Sequence, residues 1–142
     1  CGKNVEYSLD EQGTLYLKGT GATYHYHSGK CAPWYEYREK ILAVDIGEGI
    51  TLIGNQCFRD CSRLEKVKLP ESLTRIGANA FIRCSSLKEI TLPEKIRKIG
   101  DFAFAATALE QVNYEGSRED WEQVSLGKRN EELLRCLERS EN

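Results

Sequence analysis

The sequence predicts a stacked α/β solenoid, a coil whose turns lie one on another, and two recurrences carry that prediction. The pairs Ile53-Gly54, Ile76-Gly77 and Ile99-Gly100 return every 23 residues, and so do Phe58, Phe81 and Phe104. Around them, Cys61 and Cys84 follow the ring by three, Leu64 and Leu87 come three later, and Val67-x-Leu69-Pro70 returns as Ile90-x-Leu92-Pro93. A period of this length marks units that cannot bury an apolar face alone and therefore stack on neighbours.

Each element has its own signal. Residues Asn4 to Leu9 and Thr14 to Leu17 alternate apolar and polar about the turn Asp10-Glu11-Gln12-Gly13, which reads as a β-hairpin. An aromatic loop follows from Tyr24 to Tyr35, and Pro33, suited to a first helical turn, predicts a short helix over 33–39. Trp34 is expected to anchor the hairpin to the first coil. Ile41, Val44 and Ile46 stand 23 residues before Leu64, Val67 and Leu69, so a half-repeat, Ile41 to Gly49, precedes the full ones.

Within a repeat, Leu-x-x-Val-x-Leu puts alternate side chains on one face of a short strand. Ala-Phe-x-x-Cys has the spacing of one helical turn, which sends Ala80, Phe81 and Cys84 inward from the opposite wall. The Gly after each Ile marks a bend where a Cβ is opposed. The third copy decays, with Thr107 for the Cys and Leu109 and Val112 one residue early, as a terminal repeat does. Ser117-Arg118-Glu119-Asp120 then opens a helix with a capping box carrying Asp in place of Glu. Trp121, Val124 and Leu126 give that helix an apolar face and Gly127 stops it. Asn130 is expected to cap a second helix, Glu131 to Leu137, striped with Leu133, Leu134 and Leu137, and residues Arg139 to Asn142 to fray. The parts 1–40, 41–117 and 118–142 read as one structural domain.

The run IGANAFIRCSSLKEITLPEKIRKIGDFAF resembles the BspA-like leucine-rich repeats of bacterial secreted and surface proteins. The opening CGKNVEYSLDEQGTLYLKGTGA, the later Ala32-Pro33-Trp34 and the closing YEGSREDWEQVSLGKRNEEL are similar to that family too, so the resemblance covers nearly the whole chain. The expected architecture is a right-handed leucine-rich-repeat solenoid of short strands plus helical turns, with an N-terminal β-hairpin cap and a C-terminal helical cap. The resemblance implies a secreted or cell-surface bacterial protein that binds another protein, of a host or a cell surface, without catalysis. The alternative is a structural spacer or glycan-binding module within a larger surface protein. Such repeats are scaffolds whose partners differ, so the motif speaks for fold more than for function. One departure stands out: the family often adds a strand after the Asn, where Leu133-Leu134-Arg135-Cys136-Leu137 reads as helix.

Composition narrows the classes. The chain carries 30% charged and 40% hydrophobic residues and a net charge of −2. Residues 50–117 hold ten basic against eight acidic side chains, too slight an excess for the basic face that nucleic acid requires. No apolar run approaches the ~18–20 residues of a membrane span. With no initiating Met and no apolar leader segment, the chain is expected to be a mature or trimmed product. Its six cysteines do not read as a disulfide framework, because Cys61 and Cys84 hold a repeat position and Cys57 stands where Ala80 and Ala103 stand. Bonds between Cys1 and Cys31 and between Cys61 and Cys84 stay open, as does a lipid on Cys1, while Cys136 reads as unpaired.

His25, His27 and Cys31 are metal-ligand types, but they lack a fourth partner and the tight pairs of zinc motifs, so the segment reads as an exposed loop. There is no phosphate loop, no Gly-x-Ser-x-Gly and no Cys–His pair with an orienting group. Neither catalysis, cofactor nor metal is expected. The candidate binding face is the outward side of the stacked strands, in two columns: Ala43, Lys66, Glu89 and Gln111, then Asp45, Lys68, Thr91 and Asn113. Because these columns lack the Trp, Tyr and Arg of interface hot spots, Tyr24, Tyr26 and Tyr35 are expected to supply an aromatic anchor beside them.

Overall fold

The computed structural model describes residues 1–140, with no helix long and apolar enough to cross a membrane among them. Strands β1 (Val5–Leu9) and β2 (Thr14–Gly19) form the hairpin in the antiparallel register Val5↔Gly19 to Leu9↔Leu15. Asp10 builds its turn, since one carboxylate oxygen accepts from the N–H groups of Gln12 and Thr14 at 2.9 Å. The far side of β2 pairs parallel with β4 (Ala43–Ile46), and β4 with β6 (Lys66–Lys68), so the hairpin continues the sheet of the coils. Farther on, β8 (Glu89–Leu92) and β10 (Gln111–Tyr114) pair with each other. No ladder joins β6 to β8.

A second parallel sheet runs along the next wall: β3 (Gly21–Ala22), β5 (Ile50–Ile53), β7 (Arg75–Ile76), β9 (Lys98–Ile99) and β11 (Ser125–Leu126). The glycine that follows Ile in each coil is required by closeness, not by an unusual φ. A Cβ on Gly77 would stand 2.6 Å from the Asn55 nitrogen and one on Gly100 2.5 Å from that of Ala78. Coils therefore meet backbone to backbone at this corner.

The third wall corrects the expectation of one helical turn per repeat. Gln56 and Asp60, Asn79 and Arg83, Phe102 and Ala106, a pair four residues apart in each coil, all adopt left-handed backbone, with φ from 56° to 64°. A helix directs every N–H along its own axis, whereas this wall turns every second one sideways. Phe58 and Asp60 donate to Ala80 and Ile82 of the next coil at 2.8 and 3.0 Å, and Phe81 and Arg83 donate to Ala103 and Ala105 at the same distances. Others close turns inside their own coil, as Cys61 does to Phe58 and Cys84 to Phe81. Ala80, Phe81 and Cys84 nonetheless point inward and are fully buried.

One core fills the space between the walls. Its axis is a stack of rings, Trp34 on Phe58 at 5.7 Å, Phe58 on Phe81 at 5.2 Å and Phe81 on Phe104 at 5.3 Å between centroids, with interplanar angles of 20°, 24° and 9°. Trp34 thus takes the ring position of a coil that has no Phe, and its indole N–H donates to the Cys57 carbonyl at 2.8 Å. The turn beside it is a 3₁₀ helix over Tyr35–Lys40 rather than a helix over 33–39.

At the C-terminal end α1 (Arg118–Glu122) has the reciprocal capping box of Ser117 and Asp120. It stops earlier than expected, because Ser125 and Gly127 donate to the carbonyls of Arg97 and Ile99 at 2.8 and 2.7 Å. Val124 and Leu126 accordingly lie at and within β11 instead of on a helix face. Helix α2 (Glu131–Ser140) packs against β10 with Leu133 and Cys136 buried, and of the stretch expected to fray, residues 141–142 lie outside the described residues.

The described chain has two buried polar side chains, Thr23 and Asn130, one at each end of the coil. Gly77, Gly100 and Gly127 donate to the Ile carbonyl of the preceding coil, and Gly54, with no such Ile before it, donates instead to the Thr23 hydroxyl at 2.7 Å. Phe58 and Phe81 donate to the following coil, and Phe104, with none after it, donates to the Asn130 side-chain oxygen at 2.9 Å. The Asn130 amide also donates to the carbonyls of Gly100 and Gly127, so this side chain caps the solenoid ladder and not, as its position suggested, α2.

Candidate functional site

Strand pairing sets the outward columns in register. Ala43 stands opposite Lys66 and Asp45 opposite Lys68 on β4 and β6; Glu89 stands opposite Gln111 and Thr91 opposite Asn113 on β8 and β10. Their inward partners Val44, Ile46, Ile90, Leu92 and Val112 are buried, which fixes the alternation. The β8–β10 half is knit together: the Asn113 amide donates to Glu89 at 3.1 Å and to the Thr91 hydroxyl at 3.4 Å, and the Gln111 amide donates to Asn113 at 3.2 Å. The β6 half is not. Lys66 and Lys68 are exposed and have no ion pair among the described residues. Between the halves, where no ladder runs, lies a groove of about 320 Å³ lined by Lys66, Val67, Glu89 and Ile90 among others.

The three tyrosines do not form one anchor. Tyr24 is 51% exposed, but Tyr26 is 5% exposed, edge-on to Trp34 at 6.0 Å with its hydroxyl donating to the Cys1 carbonyl at 3.3 Å. Burial pushes its phenol above the ordinary range. This ring belongs to the core that seats the hairpin. Tyr35 lies under the guanidinium groups of Arg38 and Arg59, 4.3 and 4.7 Å from its centroid, and donates to Asp60 at 2.8 Å. Asp60 also accepts from Arg83 of the next coil. Partial burial opposes its ionisation, yet the hydrogen bonds from Arg83 and Tyr35 outweigh it and hold the carboxyl below its usual range. The cluster ties the 3₁₀ turn to two coils.

The possible metal ligands are held apart. His25 Nδ1 accepts from the Asn55 N–H at 2.9 Å, His27 Nδ1 from the Gly29 N–H at 3.1 Å, and the Cys31 sulfur from Arg59 at 3.2 Å. Among the described residues no three His, Cys, Asp or Glu side chains gather as a metal cluster. All six thiols are unpaired. Cys57, Cys61 and Cys84 are buried beside the ring stack, and burial pushes the Cys61 thiol up to about 12 and the other two higher than a free thiol, which leaves them unreactive packing groups.

The period carries a further signal that the strand reading passes over. Arg75-Ile76-Gly77 recurs as Lys98-Ile99-Gly100, and in the second sheet Leu52, Arg75, Lys98 and Ser125 stand in register as another outward column.

The family profile described as BspA type Leucine rich repeat region (6 copies) matches residues 34–128. No curated protein matches the chain. Among solved structures, a leucine-rich repeat protein from Eubacterium ventriosum is similar over 89% of this chain at 23% identity and a TM-score of 0.66. One from Bacteroides capillosus is similar over 82% at 26% identity and 0.54, covering 96% of that chain, and one from Bacteroides ovatus over 89% at 20% and 0.51, covering 40%. This chain spans 38% of the Eubacterium ventriosum protein.

Proposed function

This chain belongs to the BspA-type leucine-rich-repeat family, and from that membership we propose that it is a non-catalytic protein-binding module of a secreted or cell-surface bacterial protein. In this reading the contact surface is the wall of β4, β6, β8 and β10, with Lys66, Lys68, Glu89, Thr91, Gln111 and Asn113 facing the partner and Tyr24 at its margin. The hairpin and the C-terminal helices act as caps on a right-handed coil, the whole being one structural domain.

The observation that supports it most is the pair Lys66 and Lys68, two exposed lysines two residues apart on one strand with no ion pair among the described residues. Charges so presented steer a partner of opposite sign and set its register. A side chain two residues along points the same way, so the two act on one surface.

The test begins with capture from bacterial and host surface-protein extracts, followed by affinity measurement with the purified captured protein. Lys66→Glu with Lys68→Glu is expected to abolish saturable binding without changing the melting temperature. Undiminished binding by this variant would remove the strand wall as the contact surface. Retention of glycans on an array, with no protein captured, would favour the glycan-binding alternative.

A further inference from the structure

The second sheet carries a groove of about 480 Å³ whose floor is the backbone of Gly77, Ala78 and Gly100 and whose rim includes Leu52, Arg75 and Lys98. Three observations converge on it. Arg75 and Lys98 stand opposite one another on β7 and β9, about 4.8 Å apart along the ladder, exposed and without an ion pair among the described residues. The coils beside the groove are linked by side-chain acceptors: His25 accepts from the Asn55 N–H, Asn55 from Ala78 at 2.9 Å, and Asp101 from Lys128 at 2.8 Å. Ala78, which holds the corresponding place in its coil, has no acceptor to offer. The Asp101 N–H is thereby left without a partner among the described residues, at the edge of a groove rimmed by two free cations.

We infer that this groove binds an acidic peptide segment, one carboxylate of which accepts from the Asp101 N–H and pairs with Arg75 and Lys98. The donor and the two cations define an anion site, and the Asp101 carboxylate, engaged by Lys128, is turned to the next coil. Leu52, half-buried at the same rim, gives an apolar contact one strand away. That combination suits a peptide better than an acidic glycan, because sugar faces pack on aromatic rings and no Tyr, Trp or Phe lines the groove. The site lies on a different wall from the strand columns, so it stands or falls separately from the protein-binding reading above.

The probe is a fluorescein-labelled Ser-Glu-Leu-Glu-Ser peptide, followed by fluorescence anisotropy. Its affinity is expected to fall about tenfold or more in Arg75→Ala and in Lys98→Ala, as loss of a hydrogen bond to a charged group does. It should stay unchanged in Lys66→Ala with Lys68→Ala. Ala78→Asn keeps every charge but supplies the acceptor that Asn55 supplies one coil earlier, and it is expected to weaken the peptide several-fold. The peptide with Gln in place of Glu should not bind. Three results would overturn the inference: equal binding by Arg75→Ala and Lys98→Ala, full binding by Ala78→Asn, or preference for an oligogalacturonate over the peptide.

Discussion

Thr23 and Asn130 show how single side chains end a structure that has no natural end. The coils satisfy their inward N–H groups by leaning on a neighbour, so the first and last coils each leave one of these orphaned, and an unmet buried donor costs about 1–3 kcal/mol. The Thr23 hydroxyl and the Asn130 amide stand where the missing coils' carbonyls would be. Thr23→Val keeps the shape and removes the acceptor, and it is expected to lower stability by about 1–3 kcal/mol in urea unfolding; Asn130→Ala should cost at least as much. A loss near zero for either would mean that water reaches the N–H. Asp60 supplies the pH dependence. Its carboxyl titrates below the unfolded value of about 3.9, so its stabilisation is complete above that pH and is lost as pH falls through the folded value. The stability difference between the wild type and Asp60→Asn is therefore expected to shrink below about pH 4, and a constant difference down to acid would contradict this. Neither terminal role was legible in the sequence, because Asn130 sits one residue before a helix, where capping that helix is the local expectation. Two of its partners, Phe104 and Gly100, lie 26 and 30 residues away.

At the scale of elements, legibility tracked length and periodicity. The strands of the first wall follow from Val44-x-Ile46 and Ile90-x-Leu92, since a period of two has one reading. Those of the second wall are two residues long apart from β5, and Leu73-x-x-Ile76 and Ile96-x-x-Ile99 mark a bend as readily as a strand. The third wall was misread for a physical reason. A turn with two left-handed residues four apart places Ala80, Phe81 and Cys84 inward just as one turn of helix does, so side-chain spacing cannot separate the two. Tyr26 failed differently: composition marks the loop as aromatic, but only the position of Trp34 decides which ring is covered. Two predictions belong here. Ala106 holds a left-handed conformation at φ 56 in an exposed position, so Ala106→Gly is expected to raise stability by about 0.5–1 kcal/mol, where a helical turn would lose about that much. Phe81 has a ring on either side, and Phe81→Ala should cost about 3–5 kcal/mol in the same assay. A loss below about 1 kcal/mol would mean that the stack is not the core.

For the molecule as a whole, the three walls divide the labour. The inner faces share one ring-stacked core, the turn wall and the second sheet tie coil to coil, and the outward columns repeat at the coil spacing. Fold was legible in the period of 23 residues because stacking forces identical environments on equivalent positions. The proposed contact surface was legible only as register, since an outward Lys obeys the same alternation whether it meets a partner or water. The Phe58, Phe81 and Phe104 rings decide whether there is one coil at all. The most direct measurement is an aromatic-labelled nuclear Overhauser spectrum in solution. The centroid distances of 5.7, 5.2 and 5.3 Å predict an unbroken chain of ring-to-ring contacts from Trp34 through Phe58 and Phe81 to Phe104. Rings that show no contact with one another would place them in separate cores and contradict the solenoid.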